Sequence, residues 1–505
     1  MFAHEHYHVS DELIPEQVWP LTARGCAHTL DGMTLEKIIH ATIGEIASGI
    51  REKKFSPVEV VEAQLERIAA LQPKLNAFVH LDAEGALARA RVAEAEVMRV
   101  EELGPLHGVP VTVKSCIDAA GWPAAAGSLR RKEYVAVQDA TLVARLRAAG
   151  AILLGTTNTP EFLMAYETNN ALNGKTSNPW NLFYSSGGSS GGEAAAIASG
   201  CSQGGVGSDG GGSVRVPAHF CGICALKPTP GRIPGTGHFP AGGGAFGWIG
   251  VVGPMARRVA DVRALFEVMA GPDAGDALSA PVPIRKLSES SMRKLRVGVL
   301  ESEALGQATS ETRAAVDRAA RILSQDGFAV ETKRLEGLDR AIELWWYFFG
   351  PVIAHLIKKG AAGQEEKMSP MLREFVAIAT AEREMKFEEF LQACVERDTL
   401  RALILRQMDD VPVLLSPVSS GPAFRHGEGN WRLGERECYR DTMRYAQWLN
   451  FAGFPGMTVP LVSSREGLPI GVQVIGRPHE EEIVMAVAEA IERGRGPWVA
   501  PPEPS

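Results

Sequence analysis

Apolar positions along the chain alternate between two periods, and the switches between them outline the elements. Val61, Leu65 and Ile68 recur at helical spacing. The four residues Ser56-Pro57-Val58-Glu59 ahead of them read as a helix start. Ser56 can cap, Pro57 suits the first turn, and Glu59 can close a capping box. An alanine-rich stretch predicts a second helix over Ala83 to Val97. Val109 to Lys114 is a β-branched run, read as a strand that ends on a lysine. Leu142 and Leu146 predict a helix that Gly150 stops, and Ala151 to Leu154 starts another strand. The same order returns with the strand Leu295 to Leu300, the helix around Val316 to Leu323 and the strand Phe328 to Val330. A strand over Ile470 to Ile475 and a helix over Ile483 to Ile491 come near the end. Such alternation predicts an α/β sheet.

Two stretches break the alternation. Residues 185–245 are dominated by Gly and Ser and read as a system of catalytic loops. Residues 335–440 are helical in character with apolar surface to place, and read as a cap over one end of the sheet. Residues 1–34 have little periodicity and read as an extension before a single domain over 35–505. The extension carries His4, His6 and His8, taken as part of a solvated tail. It has no apolar core of a secretory signal, and nowhere does an apolar run reach the about 18 residues of a spanning helix. The expectation is a cytoplasmic protein with no membrane span.

Composition adds limits rather than direction. The 505 residues are 45% hydrophobic and 22% charged, ordinary for a globular chain and enough to bury a closed pocket. A net charge of -8 argues against nucleic acid or an anionic membrane as the main partner. Seven scattered cysteines (Cys26, Cys116, Cys201, Cys221, Cys224, Cys394 and Cys438) do not form a disulfide framework. Cys221-Gly222-Ile223-Cys224 has metal spacing, but no second pair completes a zinc site. The two thiols are read as small buried side chains, with neither metal nor cofactor expected.

The glycine-serine region holds the candidate chemistry: Gly187-Gly188-Ser189-Ser190-Gly191-Gly192-Glu193, then Gly207-Ser208-Asp209-Gly210-Gly211-Gly212-Ser213-Val214-Arg215-Val216-Pro217. Three readings compete. A phosphate cradle would use glycine N–H groups, but no Gly-Lys-Ser/Thr follows. A nucleophile elbow would use Ser189, since Gly187 to Gly191 satisfies G-x-S-x-G. It needs a later acid and histidine, and Asn181 to Ser185 is not expected to be the strand before it. A serine nucleophile at Ser213 would have the unblocked N–H groups of Gly210, Gly211 and Gly212 beside it for an oxyanion. Ser189 could then relay its proton to a lysine that burial keeps neutral.

These residues resemble the amidase signature family. His107 to Lys114 is similar to its lysine-bearing strand, Gly187 to Gly192 to its GGSSGG loop, and Gly207 to Pro217 to its nucleophile segment. Cys221 to Pro228 follows the same pattern, as do Asn450 to Pro455 with Pro460, and Gly467 to Gln473. Ser189 lies 24 residues and Lys114 99 residues before Ser213, as the resemblance requires. It spans roughly residues 35–495. It implies an α/β/α sandwich around a large mixed sheet. It also implies an amide hydrolase that works through an acyl-enzyme. Ser213 would be the nucleophile, Ser189 the bridge after a cis peptide bond from Gly188, and Lys114 the base. Gly210, Gly211, Gly212 and Ser213 would supply the oxyanion hole, and Ser190, Asp209 and Arg215 would support the loops. Glycine at position 210 departs from relatives, which often carry Thr or Ile there. Glu193, with Glu167 to Asn170 and Asn178 to Asn181, resembles the branch related to fatty acid amide hydrolases.

The implied substrate is a small-molecule amide, with carbamates and esters also open. The alternative is the amidase-like subunit of a tRNA-dependent amidotransferase, which would hand ammonia to a partner. A homodimer is the default assembly. His107 is expected to be structural. Trp345 to Phe349 either lines an acyl pocket or packs between helices, with Trp431 and Tyr439 in the same cap. Asp409-Asp410 is expected as a solvated turn leading into a strand at Val411 to Leu415.

Overall fold

The computed structural model describes residues 35–99, 102–288, 292, 294–381, 386–428 and 436–503. The expected extension, its three histidines and Trp431 lie outside the described residues, as does the side chain of Tyr439. Eleven strands form the central sheet. In chain order they are β1 (Phe78–Leu81), β2 (Pro110–Lys114), β3 (Ile152–Thr157), β4 (Gly204–Asp209), β5 (Cys224–Lys227), β6 (Val251–Ala256), β7 (Arg296–Leu300), β8 (Ala329–Lys333), β9 (Val413–Pro417), β10 (Gly456–Ser463) and β11 (Pro469–Ile475). Across the sheet they run β1-β3-β2-β4-β6-β5-β10-β11-β9-β7-β8. β2 is parallel to both β3 and β4, and β7 to both β8 and β9. The other pairs are antiparallel, so the sheet is mixed.

Side chains alternate across the sheet with the period of two that strands impose. Val413 and Leu415 of β9 join one apolar layer, and Leu414 between them joins the other. In β5, Cys224 and Leu226 point to the first layer and Ala225 to the opposite face. Helices Thr141–Ala148, Val259–Met269, Ser310–Gln325 and Glu481–Arg495 cover the first face. Helices Gly191–Ala198 and Arg215–Cys221 lie on the other, with the cap helices beyond them. Both faces are therefore buried, which explains the near-continuous apolar strands.

The local signals behave as their chemistry dictates. The helix Pro57–Leu75 opens with a full capping box, Glu59 N–H donating to Ser56 Oγ and Ser56 N–H to Glu59. The cap comprises helices Leu338–Tyr347, Ile353–Ala361, Pro370–Ala381 and Phe387–Arg406, with a π turn at Phe348–Val352. The expected cap segment 335–440 also contains β9, an interior strand of the sheet. Asp410 in the turn before it pairs with Lys333 Nζ at 2.9 Å. One expectation is corrected: Asn181–Ser185 is a strand, paired antiparallel with Ser177–Asn178 in a ribbon outside the main sheet. Asx turns favour that ribbon. Asn178 Oδ1 accepts from Trp180 N–H, and Asn181 Oδ1 from Phe183 N–H.

Candidate active site

Lys114 is the last residue of β2, and its side chain is fully buried. Its Nζ lies 2.7 Å from Ser189 Oγ, 3.0 Å from Ser190 Oγ and 3.1 Å from Ser208 Oγ. Burial pushes the amine down to about 8, opposed by the acidic groups Cys116, Asp209 and Glu193 beyond its hydroxyl partners. Ser189 sits in the turn that enters the helix Gly191–Ala198, after a cis Gly188–Ser189 peptide bond. Thr159 Oγ1 donates to its carbonyl at 2.7 Å. The elbow reading of Ser189 does have a strand before it, but its basic neighbour is a lysine amine and not an imidazole.

Ser213 sits in the turn between β4 and the helix Arg215–Cys221 and is 8% exposed, facing a cavity that Ser189 also lines. Ser190 N–H donates to Ser213 C=O at 3.1 Å and so ties the two serine turns together. Ser213 Oγ makes no hydrogen bond among the described residues.

The glycine turn is held from outside the cavity. Trp345 Nε1 donates to Gly210 C=O at 2.8 Å, and Tyr166 Oη donates to Gly211 C=O. In a trans peptide the N–H points opposite its C=O. Anchoring the Gly210 carbonyl therefore aims the Gly211 N–H the other way. Gly212 departs from the expected role: its N–H donates to Asp209 Oδ1 at 2.7 Å. The N–H groups of Gly210, Gly211 and Ser213 have no hydrogen bond among the described residues and remain free to receive an oxyanion. Gly212 has φ +120°, and a Cβ there would sit 2.8 Å from that of Ala446. It shapes the turn.

Asp209 braces the turn from below. Its carboxylate accepts from Gly212 N–H, Val214 N–H, Arg215 Nε and Nη2, and Asn450 Nδ2. Burial alone would push this carboxyl up. The adjoining Arg215 guanidinium overrides that and holds it well below the usual carboxylate range. Arg215 also donates to Gln473 Oε1, Ala446 C=O and Asn450 Oδ1. Ser190 Oγ donates to Ser208 C=O. The expected supporting trio is thus brought together. Tyr166, Trp345, Asn450 and Gln473 were not singled out for these roles. Asn450 and Gln473 lie in motifs already noted, whereas the indole and phenol carry no local signal of their bonds to glycine carbonyls.

The remaining candidates fall outside the chemistry. Glu193 lies beneath Lys114, accepting from Thr112 Oγ1 and Thr157 Oγ1, and burial pushes its carboxyl up to about 7. His107 Nε2 bonds Ala93 C=O at 2.9 Å. Cys221 Sγ donates to Ser186 C=O and Cys224 Sγ to Arg257 C=O, so the two thiols do not converge. In the aromatic run, Phe349 lines the cavity while Trp345, Trp346 and Phe348 pack in the cap core.

The cavity spans about 630 Å³ including its open mouth. Leu163, Met164, Ile233, Phe246, Leu278 and Phe349 supply its apolar wall. Among the described residues lining it there is no Lys or Arg.

The family model for amidases matches residues 59–485. A glutamyl-tRNA(Gln) amidotransferase subunit from Anaeromyxobacter dehalogenans (strain 2CP-C) is 33% identical over 91% of this chain and 97% of its own. The indoleacetamide hydrolase of Bradyrhizobium diazoefficiens is 33% identical over 90% of this chain and 86% of its own. Among solved structures, a fatty acid amide hydrolase superposes with a TM-score of 0.82 over 93% of this chain and 88% of its own. At 24% identity that likeness is one of fold. The match over most of its length and the shared sheet make this chain a member of the amidase signature family, a hydrolase of carbon–nitrogen bonds.

Proposed function

We propose that Ser213, Ser189 and Lys114 hydrolyse an amide whose acyl group is apolar. The observation that carries this reading is the buried amine of Lys114, surrounded by serine hydroxyls and held down to about 8. A neutral amine is a base that can take the Ser189 proton while Ser189 takes that of Ser213. Ser213 Oγ then attacks the carbonyl. The N–H groups of Gly210, Gly211 and Ser213 receive the oxyanion, usually the largest single contribution in acyl transfer. The proton returns through Ser189 to the leaving nitrogen. Water repeats the attack on the acyl-enzyme and releases the acid. Residues 35–505 act as one amidase domain in this reading, and the five described free thiols fit a reducing cytoplasm.

The amidotransferase-like reading is favoured by the similarity to that relative. The cavity wall weighs the other way. Glutamine carries an α-carboxylate, and binding it in a closed site calls for a cation beside it. No lining Lys or Arg offers one among the described residues. The test is to assay the purified chain alone on acetamide, hexanamide, phenylacetamide and p-nitroacetanilide. Turnover of the apolar amides, abolished in Ser213→Ala, is the expected result. Hydrolysis confined to glutamine, and only with a co-purifying partner, would overturn the reading.

A further inference from the structure

Cys116 and His238 stand beside the catalytic cluster without a role in the scheme above. The backbone places them together. Ile117 and His238 form an antiparallel bridge, Phe239 N–H donates to Cys116 C=O at 2.8 Å, and Asp118 N–H to Gly237 C=O at 2.9 Å. Cys116 Sγ then lies 3.4 Å from His238 Nε2 and 3.8 Å from Ser208 Oγ. Ser208 Oγ is one of the three neighbours of Lys114 Nζ. A continuous chain therefore runs from Lys114 through Ser208 and Cys116 to His238.

The direction of this chain follows from donor counting. His238 Nδ1 is 3.0 Å from Pro240 C=O, which can only accept, so Nδ1 carries the proton. In the neutral ring Nε2 is then an acceptor, and the Cys116 S–H donates to it. Burial keeps the ring neutral by pushing it down to about 4, and burial likewise raises the Cys116 thiol, which stays protonated. The thiol sulfur is left to accept from the Ser208 O–H. Ser208 Oγ in turn accepts an N–H from Lys114. A neutral amine has two N–H bonds and one lone pair. Ser190 Oγ gives its own proton to Ser208 C=O, so by the same counting it and Ser208 take the N–H bonds and the lone pair is left for Ser189.

Remove the acceptor at Nε2 and the chain can reverse. The thiol then donates to Ser208, Ser208 donates to the Lys114 lone pair, and the base turns away from Ser189. Resting on the Ser–Ser–Lys reading, we propose that His238, acting through Cys116 and Ser208, is a positioning residue that keeps the Lys114 lone pair on Ser189. It touches no reacting atom in this role.

Cys116 gives the cleaner test, because it is fully buried and does not line the cavity. The fastest of the four amides named above is the probe. Cys116→Ala should lower kcat by about tenfold or more with KM within about twofold. Cys116→Ser, whose hydroxyl still donates to His238 and accepts from Ser208, should restore most of the rate. His238→Leu should reproduce the Cys116→Ala loss in kcat and serves where Cys116→Ala does not fold. Wild-type kcat in folded Cys116→Ala or in His238→Leu would overturn the proposal, as would Cys116→Ser falling as far as Cys116→Ala. Ser213→Ala and Lys114→Ala are assayed alongside. If they stay active, the triad reading fails and takes this one with it; if they are dead while Cys116→Ala is normal, only the positioning role fails.

Discussion

Among the described residues Lys114 has hydroxyls and no carboxylate within hydrogen-bonding distance, and that difference sets its chemistry. A carboxylate would hold the amine charged, whereas hydroxyls let burial bring it down to about 8. The base form is the neutral amine. Below about 8 its fraction rises tenfold per pH unit, and above that it levels off. A plot of kcat/KM against pH should follow the same curve, and a flat profile between pH 6 and 8 would exclude Lys114 as the base. Lys114→Met should lower kcat by about 10²–10⁴-fold, the range for loss of a positioned base. Asp209 and Arg215 follow the opposite logic, since both are fully buried and paired. Arg215→Met leaves the Asp209 charge unpaired in the interior. That should cost about 3–5 kcal/mol of stability, measured by chemical denaturation, and loosen the oxyanion turn.

At the scale of elements, the glycine turn depends on a helix far away in sequence. Trp345, on the helix Leu338–Tyr347, holds the Gly210 carbonyl and stacks on Phe349 at 4.7 Å. Trp345→Phe keeps most of the stacking surface but removes the N–H. The Gly210–Gly211 peptide is then free to turn, and kcat should fall about tenfold with little change in KM, the signature of an interaction made in the transition state. This dependence also explains what the sequence made legible. Strands with β-branched residues, such as Val109 to Lys114 and Ile470 to Ile475, and helices with caps, such as Pro57–Leu75, were readable because their local preferences agree with their places. β4, Gly204–Asp209, was not. Its Gly-Gly-Val-Gly-Ser-Asp reads as loop, yet it is a buried interior strand. A Cβ at Gly205 would fall 1.9 Å from Glu193 Oε1 and 2.4 Å from Thr112 C=O. Glycine here serves close approach of the neighbouring strand and helix, so propensity points the wrong way. The serines and lysine of the site were legible as motifs. Tyr166 and Trp345 were not, because their bonds are made only by folding.

Across the whole molecule, the two ends of the described chain meet on one buried arginine. Arg257 donates to Ala41 C=O near the N-terminal side, to Ile197 and Ser202 C=O beside the helix Gly191–Ala198, and lies over the Trp498 ring at 5.8 Å. One turn on, Asp261 accepts from Ile43 N–H at 2.8 Å and so fixes the start of the helix Ile43–Arg51. Burial pushes the Asp261 carboxyl up to about 7 from an ordinary value of 3.8, opposed mainly by Arg257. Because its folded value is raised, the group's contribution to stability is complete below pH 3.8 and is lost as the pH rises through about 7. The reason is that the unfolded chain releases the proton first. Asp261→Asn keeps an oxygen for Ile43 N–H and cannot ionise. Any cost of its extra amide group is the same at every pH. The stability of the variant relative to the parent should therefore climb between pH 4 and pH 8, by up to about 1.4 kcal/mol per unit of the shift. Denaturation curves across that window measure the slope. A difference that stays constant with pH would mean that Asp261 is charged in the folded protein, and that Arg257 binds the chain ends together as half of an ion pair.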